Sequence, residues 1–346
     1  MKRSIFVTAV GLLSVAIAGA EAQNTYEVPY VEELPDGVIA WQQSGLLKDR
    51  RETRFGPYDK KAAEHLILDA TADRGVAKEE GAPERETAFR MAYDSRGVGI
   101  FIEAAEPLIR ELLDSTVDPT SPGRHESFEV FFTPALSGEA YYQLFINTFS
   151  GKTDFYDWGS PHQNYRSLRE YARVETRSLK TGFGVSIFIP WEAIYENLPL
   201  KGGDWRFSII RWMPFGKAGG VTWGGQVHET GQFGLLRFAK PTEEQRLNIE
   251  RRLARYAWFN FLAKAKAATH FWSDEKVGDP DFYNSVLKSL IAGNTTLGES
   301  LGNPDDWTAE SLKKIQPVQK DWLEFDYKVS DLRGKYLVQK RFENAR

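Results

Sequence analysis

The chain has 346 residues, with 44 basic and 48 acidic side chains, a formal charge of −4 and no cysteine. Without cysteine there is neither a disulfide framework nor a thiolate metal site, and the near balance of charge leaves no footprint for a nucleic acid. Ten tryptophans, 22 phenylalanines and 14 tyrosines supply core material first and ligand platforms second.

Residues 1–22 read as a leader. Met1-Lys2-Arg3 is a basic start, Ser4 to Ile17 an apolar run, and Ala20-Glu21-Ala22 a small-x-small cleavage site, so a mature chain is expected to begin at Gln23. The apolar run is too short and too rich in Ala and Gly for a membrane anchor, and no later segment approaches a membrane span. The expectation is an exported protein, periplasmic or extracellular. Residues 23–60 read as an extended lead-in with a few turns, holding Trp41 and the basic cluster Lys48 to Arg51.

Residues 61–240 carry a succession of short runs bounded by Gly, Pro, Asp and Asn. Strands are expected at 65–70, 87–93, 98–104, 127–133, 141–148, 170–177, 183–189, 205–212 and 233–238, with helical turns at 107–113 and 191–195. No βα alternation interrupts them, so the fold class is mainly β: an antiparallel β-sandwich of jelly-roll type. The pair at 127–133 and 141–148 is the clearest, with period-2 patterning on both sides of one turn. Phe128, Val130 and Phe132 share an all-apolar row, as do Tyr142, Leu144 and Ile146. The opposite row mixes Ser127, Glu129 and Phe131 with Gln143, Phe145 and Asn147, and is expected to face outward and to hold a polar ring.

At Pro241 the texture changes. Thr242-Glu243-Glu244-Gln245 fits a capping box, and the Arg, Ala, Leu and Glu that follow to about His270 predict a long, largely buried helix. Shorter helices are expected at 281–292, 308–318 and 328–339. The region 241–346 is too apolar for a free tail, so it is expected to pack on the sandwich or to engage another subunit, as a homo-oligomer or with a protein partner.

Six segments resemble, in order, the motifs of family 9 carbohydrate-binding modules and the wider DOMON-like sandwiches. They are AYDSRGVGIFIEA (92–104), HESFEVFFTP (125–134), YYQLFINTFSGKTD (141–154), GFGVSIFIPWEAI (182–194), GDWRFSIIRW (203–212) and VTWGGQ with FGLLRF (221–238). The resemblance implies a jelly-roll sandwich, often with structural calcium, found beside polysaccharide-degrading enzymes. It places Glu129 at the family's acidic strand position and Glu126 at the second acid of the preceding pair. His125 stands where an Asp is usual, and Gly184-Val185-Ser186 lacks the usual Glu. Pro122-Gly123-Arg124 and His228-Glu229-Thr230 stand where sugar-binding members carry their two stacking tryptophans.

Sugar recognition needs flat rings for C–H faces and polar groups for hydroxyls. Glu129, Gln143, Asn147 and Arg211 supply the polar candidates, and Trp223, Trp158 and Tyr156 the platforms; for Glu129 and Arg211 the equal alternative is an ion pair that braces the sheet. Trp191, Trp205 and Trp212 read as core. Asp154, Asp157 and Glu126 are the calcium candidates, with Asp114 and Asp118 further acids. A haem site would draw on Met91 or Met213 with His125 or His228. Glu126 and Glu129 fall on opposite faces by parity, which argues against a glycosidase pair. The expected function is non-catalytic binding of a poly- or oligosaccharide. A hydrolytic protein of polysaccharide catabolism, a haem or redox module, and a structural or assembly protein stay open as alternatives.

Overall fold

The computed structural model describes residues 24–47, 53, 55–57, 86–107, 126–134, 141–147, 171–200, 202–213, 219–225 and 230–344. The expected leader, the strand at 65–70 and all but the first residue of the turn at 107–113 lie outside these.

Two sheets face each other. Among the described residues the first holds seven strands: β1 (Thr25–Val28), β2 (Gly56–Pro57), β5 (Ser127–Thr133), β6 (Tyr142–Asn147), β9 (Gly203–Met213), β10 (Gly219–Trp223) and β11 (Gly234–Phe238). The second is antiparallel, with β3 (Thr87–Tyr93), β4 (Gly97–Ala105), β8 (Gly182–Pro190) and β7 (Arg173–Leu179) in that order. Eleven-residue β9 is the spine of the first sheet. Along one edge it pairs with β5, which carries β6 outside it. Along the other edge β11 covers its first half and β10 its second. The chain leaves β10 through Gly224 at φ +100°, where an added Cβ would lie 2.3 Å from the Phe207 carbonyl oxygen; only glycine lets the backbone pass here.

Period-2 alternation decides what lies between the sheets. Phe128, Val130, Phe132, Leu144, Ile146, Trp205, Phe207 and Ile209 turn inward from the first sheet, and meet Phe89, Met91, Ile100, Ile102, Phe183, Val185 and Ile187 from the second. The expected strand pair at 127–148 is present, and its apolar row is the core row.

The lead-in is not merely extended. β1 runs parallel to β11, and helix α1 (Gly37–Gln43) lies over the outer face of the second sheet. Val38 and Trp41, three residues apart, put one apolar stripe on Ala92 and Phe101, the Trp41 and Phe101 rings stacking at 6.0 Å. The Asp94 carboxylate accepts from the Leu34 N–H, and Glu175 from the Val38 N–H, each at 3.0 Å. A seven-residue helix has too little periodicity to be read from sequence among its Pro and Gly neighbours.

Four residues after β11, helix α2 (Glu243–Ser273) begins at the expected capping box. The Thr242 N–H donates to Gln245 Oε1 at 2.9 Å, and Thr242 Oγ1 accepts from the Gln245 N–H at 3.2 Å. Ile249 belongs to the sandwich core, whereas Leu253, Ala257, Trp258 and Phe261 belong to a second core. That core is closed by a π-helical turn (Tyr283–Leu287), α3 (Lys288–Ser300), α4 (Ala309–Leu323) and α5 (Phe325–Asn344), with Trp307, Trp322 and Phe325 buried. The helices dock on the turns after β8: Tyr195 donates to Glu324, and Lys320 pairs with Glu196 at 2.6 Å. No helix among the described residues is long and apolar enough to cross a membrane.

Candidate functional site

The face of the first sheet that points away from the core carries the most chemistry. β5 offers Ser127, Glu129 and Phe131 there, β6 Gln143 and Phe145, and β9 Ser208, Ile210 and Trp212, because register sets Glu129 against both Phe145 and Ile210. This face is not the open platform its polar residues suggested. Phe131, Ile210 and Trp212, joined by Phe233 from beyond the sheet, make a small apolar cluster with Tyr141 against it. Phe145 and Gln143 are buried as well.

Within that cluster Glu129 is half-buried. Burial pushes its carboxyl up from the ordinary 4.5 to about 7, against hydrogen bonds from Trp212 and Gln143 that favour the charged form. The Gln143 amide reaches Glu129 Oε2 at 3.4 Å. Among the described residues, Gln143 Oε1 and Ser127 Oγ are buried without a hydrogen-bond partner. Both belong to the row that holds Glu129. A carboxylate, an amide, a hydroxyl and an indole N–H thus share one aromatic-lined patch, with polar capacity left over.

The raised carboxyl has a readable consequence. Between 4.5 and about 7 the unfolded chain has lost the Glu129 proton while the folded chain keeps it, so stability falls as pH rises through this window and levels off above it. Glu129→Gln is expected to remove that part of the slope, checked by urea midpoints from pH 4.5 to 8.

The other expected site residues go elsewhere. Arg211 alternates to the inner face, opposite Phe128, and is fully buried. Its ion pairs are with Glu106 at 2.9 Å and with Glu126, not with Glu129 on the far side of the sheet. The expected brace exists with different partners, and Arg211 has no path to a ligand on the outer face. Glu126 does not fit a calcium ligand, since the Arg211 guanidinium already neutralises it inside the core. Trp223, expected as a platform, is paired by register with Ile209 and turns its ring inward. It is 1% exposed and packs edge-on against Phe89 at 5.0 Å, so it has no face for a sugar. Asn147 closes β6 opposite Ser127. Trp158, Tyr156, Asp154 and Asp157 lie outside the described residues. So do His125 and His228, while Met91 sits in the sandwich core.

Trp212, read as core, is the indole beside Glu129. The signal was in the sequence: Glu129 and Ile210 are register neighbours, and Trp212 is two residues from Ile210 on the same face. Glu126 and Glu129 do lie on opposite faces, as parity required.

No family model matches the chain, and no curated protein matches it either. In structure it is similar to a family 9 carbohydrate-binding module from Caldicellulosiruptor kristjanssonii in complex with cellotriose, at 12% identity and a TM-score of 0.41, over 64% of this chain and 96% of that one. A family 9 module from the same organism in complex with glucose gives 12% and 0.41 over 63% and 97%. A candidate carbohydrate-binding protein from Bacteroides uniformis gives 15% and 0.41, over 63% of this chain and 100% of that one. Likeness at this distance identifies no ligand.

Proposed function

We propose that this is an exported protein that binds a poly- or oligosaccharide without cleaving it, on the outer face of the first sheet around Glu129. The observation that carries the reading is the group Glu129, Gln143, Ser127 and Trp212, which leaves buried polar atoms unsatisfied among aromatic side chains. A sugar hydroxyl both donates and accepts, so it can meet a carboxylate and an amide at once. The six motif resemblances in order support the same class of ligand, and the leader-like residues 1–22 support export.

Binding rather than hydrolysis is the reading that the placement of Glu126 and Glu129 supports among the described residues. A glycosidase needs two across a cleft, about 5–10 Å apart. Here Glu129 faces outward, and Glu126 is turned into the core and paired with Arg211.

Calorimetric titration against a panel of soluble oligosaccharides, with pull-down on insoluble polysaccharides, tests the reading. Binding is expected, and Glu129→Gln should weaken it by about tenfold or more, or ~1.4 kcal/mol. Because the carboxyl ionises near 7, affinity should rise from pH 6 to pH 8 in the native chain and stay level in the variant. Silence toward every glycan would remove the proposal. Binding that ignores both Glu129→Gln and Gln143→Ala would move the site elsewhere.

A further inference from the structure

Helix α5 carries two apolar stripes on opposite sides. Phe325, Val329, Leu332 and Tyr336 recur at four, three and four residues and turn into the helical core. About 200° around the same helix, at roughly 100° per residue, Tyr327, Val338 and Phe342 stay 45%, 55% and 70% exposed, with Leu337 beside them at 44%. Those four make up half of the eight large apolar side chains that remain exposed among the described residues. One surface helix therefore holds most of what the helical region leaves uncovered.

The seam positions on that outer side are Tyr327, Asp331, Gly334, Val338 and Arg341, at the four-three-four-three spacing of a helix pair. Gly334 is the odd member. Glycine in a helix interior weakens the helix, and a Cβ added here would meet nothing within 4 Å, so no contact among the described residues accounts for it. Asp331 and Arg341 place opposite charges near the two ends of the seam.

We propose that this face pairs with the same face of a second copy of the chain, antiparallel across a two-fold axis at the height of Tyr336. The pairs 334/338 and 331/341 share residue 336 as their midpoint, so a single register satisfies both. Val338 of each copy then fills the open space at Gly334 of the other, and Asp331 of each faces Arg341 of the other. Leu337 meets Leu337 on one side of the axis and Lys335 approaches Lys335 on the other, each lysine already paired with Asp331 of its own helix, and Phe342 lies along the stem of Lys328. A parallel pairing would instead set Asp331 on Asp331 and Gly334 on Gly334, leaving like charges and a gap. The self-complementarity of size and charge in one register is the reason for naming a copy of this chain as the occupant. The lysine at 335 already pairs with Asp331 at 2.7 Å within its own helix, which leaves the second carboxylate oxygen to Arg341 of the other copy.

Sedimentation equilibrium of the full chain over a hundredfold range of concentration reads the proposal. A monomer–dimer equilibrium is expected. Asp331→Arg alone and Arg341→Asp alone should each weaken the dimer about tenfold, while the two together should restore most of it, as a charge swap across a contact does. Val338→Asp should leave only monomer. All of these positions are exposed, so the circular dichroism and melting temperature should hold. A chain that is monomeric at every concentration overturns the proposal, and so does a dimer indifferent to Val338→Asp or not restored by the double swap. A monomer that instead binds anionic vesicles through the same residues would show that a lipid surface, not a second copy, covers the helix.

Discussion

Replacing Arg211 with methionine is expected to destabilise the protein by about 3–5 kcal/mol, the cost of taking one partner out of a buried ion-pair cluster. Arg211 is the hub of the interior at one end of the sandwich. It pairs with Glu106 at 2.9 Å and with Glu126, and donates to Thr87 Oγ1 at 2.9 Å and to the Ala105 carbonyl at 3.0 Å. One guanidinium thus ties β9 and the approach to β5 in the first sheet to β3 and β4 in the second. Its planar fork is suited to this, with several donors in fixed directions. Methionine matches the stem but removes the cation that both buried carboxylates pair with. The triple variant Arg211→Met, Glu106→Gln, Glu126→Gln should recover most of the loss, because buried groups without charge carry a far smaller desolvation cost. Chemical denaturation of the three proteins checks this, and a single variant as stable as the native chain would show that the cluster is not what closes this end.

The second large effect is expected at Trp223. Truncation to alanine should cost about 3–5 kcal/mol by removing a fully buried ring and leaving a cavity. The ring packs against Phe89 and Phe207, at 5.0 and 5.9 Å between centroids, and lies under the close approach of Gly234. It contributes nothing to the outer face. Where the variant remains folded, any saccharide affinity should therefore match that of the native chain. A selective loss of binding with unchanged stability would contradict the inward register of β10.

The contrast between these residues shows what was readable beforehand. Alternation in 127–133 and 142–147 separated Glu129 from the core row correctly, because one buried face forces a register and a slip of one residue would invert it. The capping box at Thr242 was equally legible, since its two hydrogen bonds are local. Trp223 and Arg211 were misread for one reason. Their surroundings are set by pairing that composition does not show: Trp223 by Ile209 of the preceding strand, and Arg211 by residues more than 80 positions away. A glycine-rich sequence around a tryptophan looks like a loop until its partner strand is known. Trp212 was missed as a site residue because two aromatic rows, one on each face, carry the same composition. The sandwich was legible as a class, and the outer face as a row. Which tryptophan accompanied Glu129 depended on long-range register.

Helix α2 has a mechanical consequence. Ile249 sits in the sandwich core and Leu253 in the helical one, a single turn apart on one uninterrupted helix. Chains usually change core at a linker, where φ and ψ are free to turn. Here the crossing falls inside a hydrogen-bonded helix of 31 residues, roughly 45 Å long, so there is no joint at which the two halves can bend. The protein behaves as a strut with a sheet at its foot, and the face bearing Glu129 keeps a fixed heading relative to the far end of the helices. Anything that orients those helices also aims the sheet.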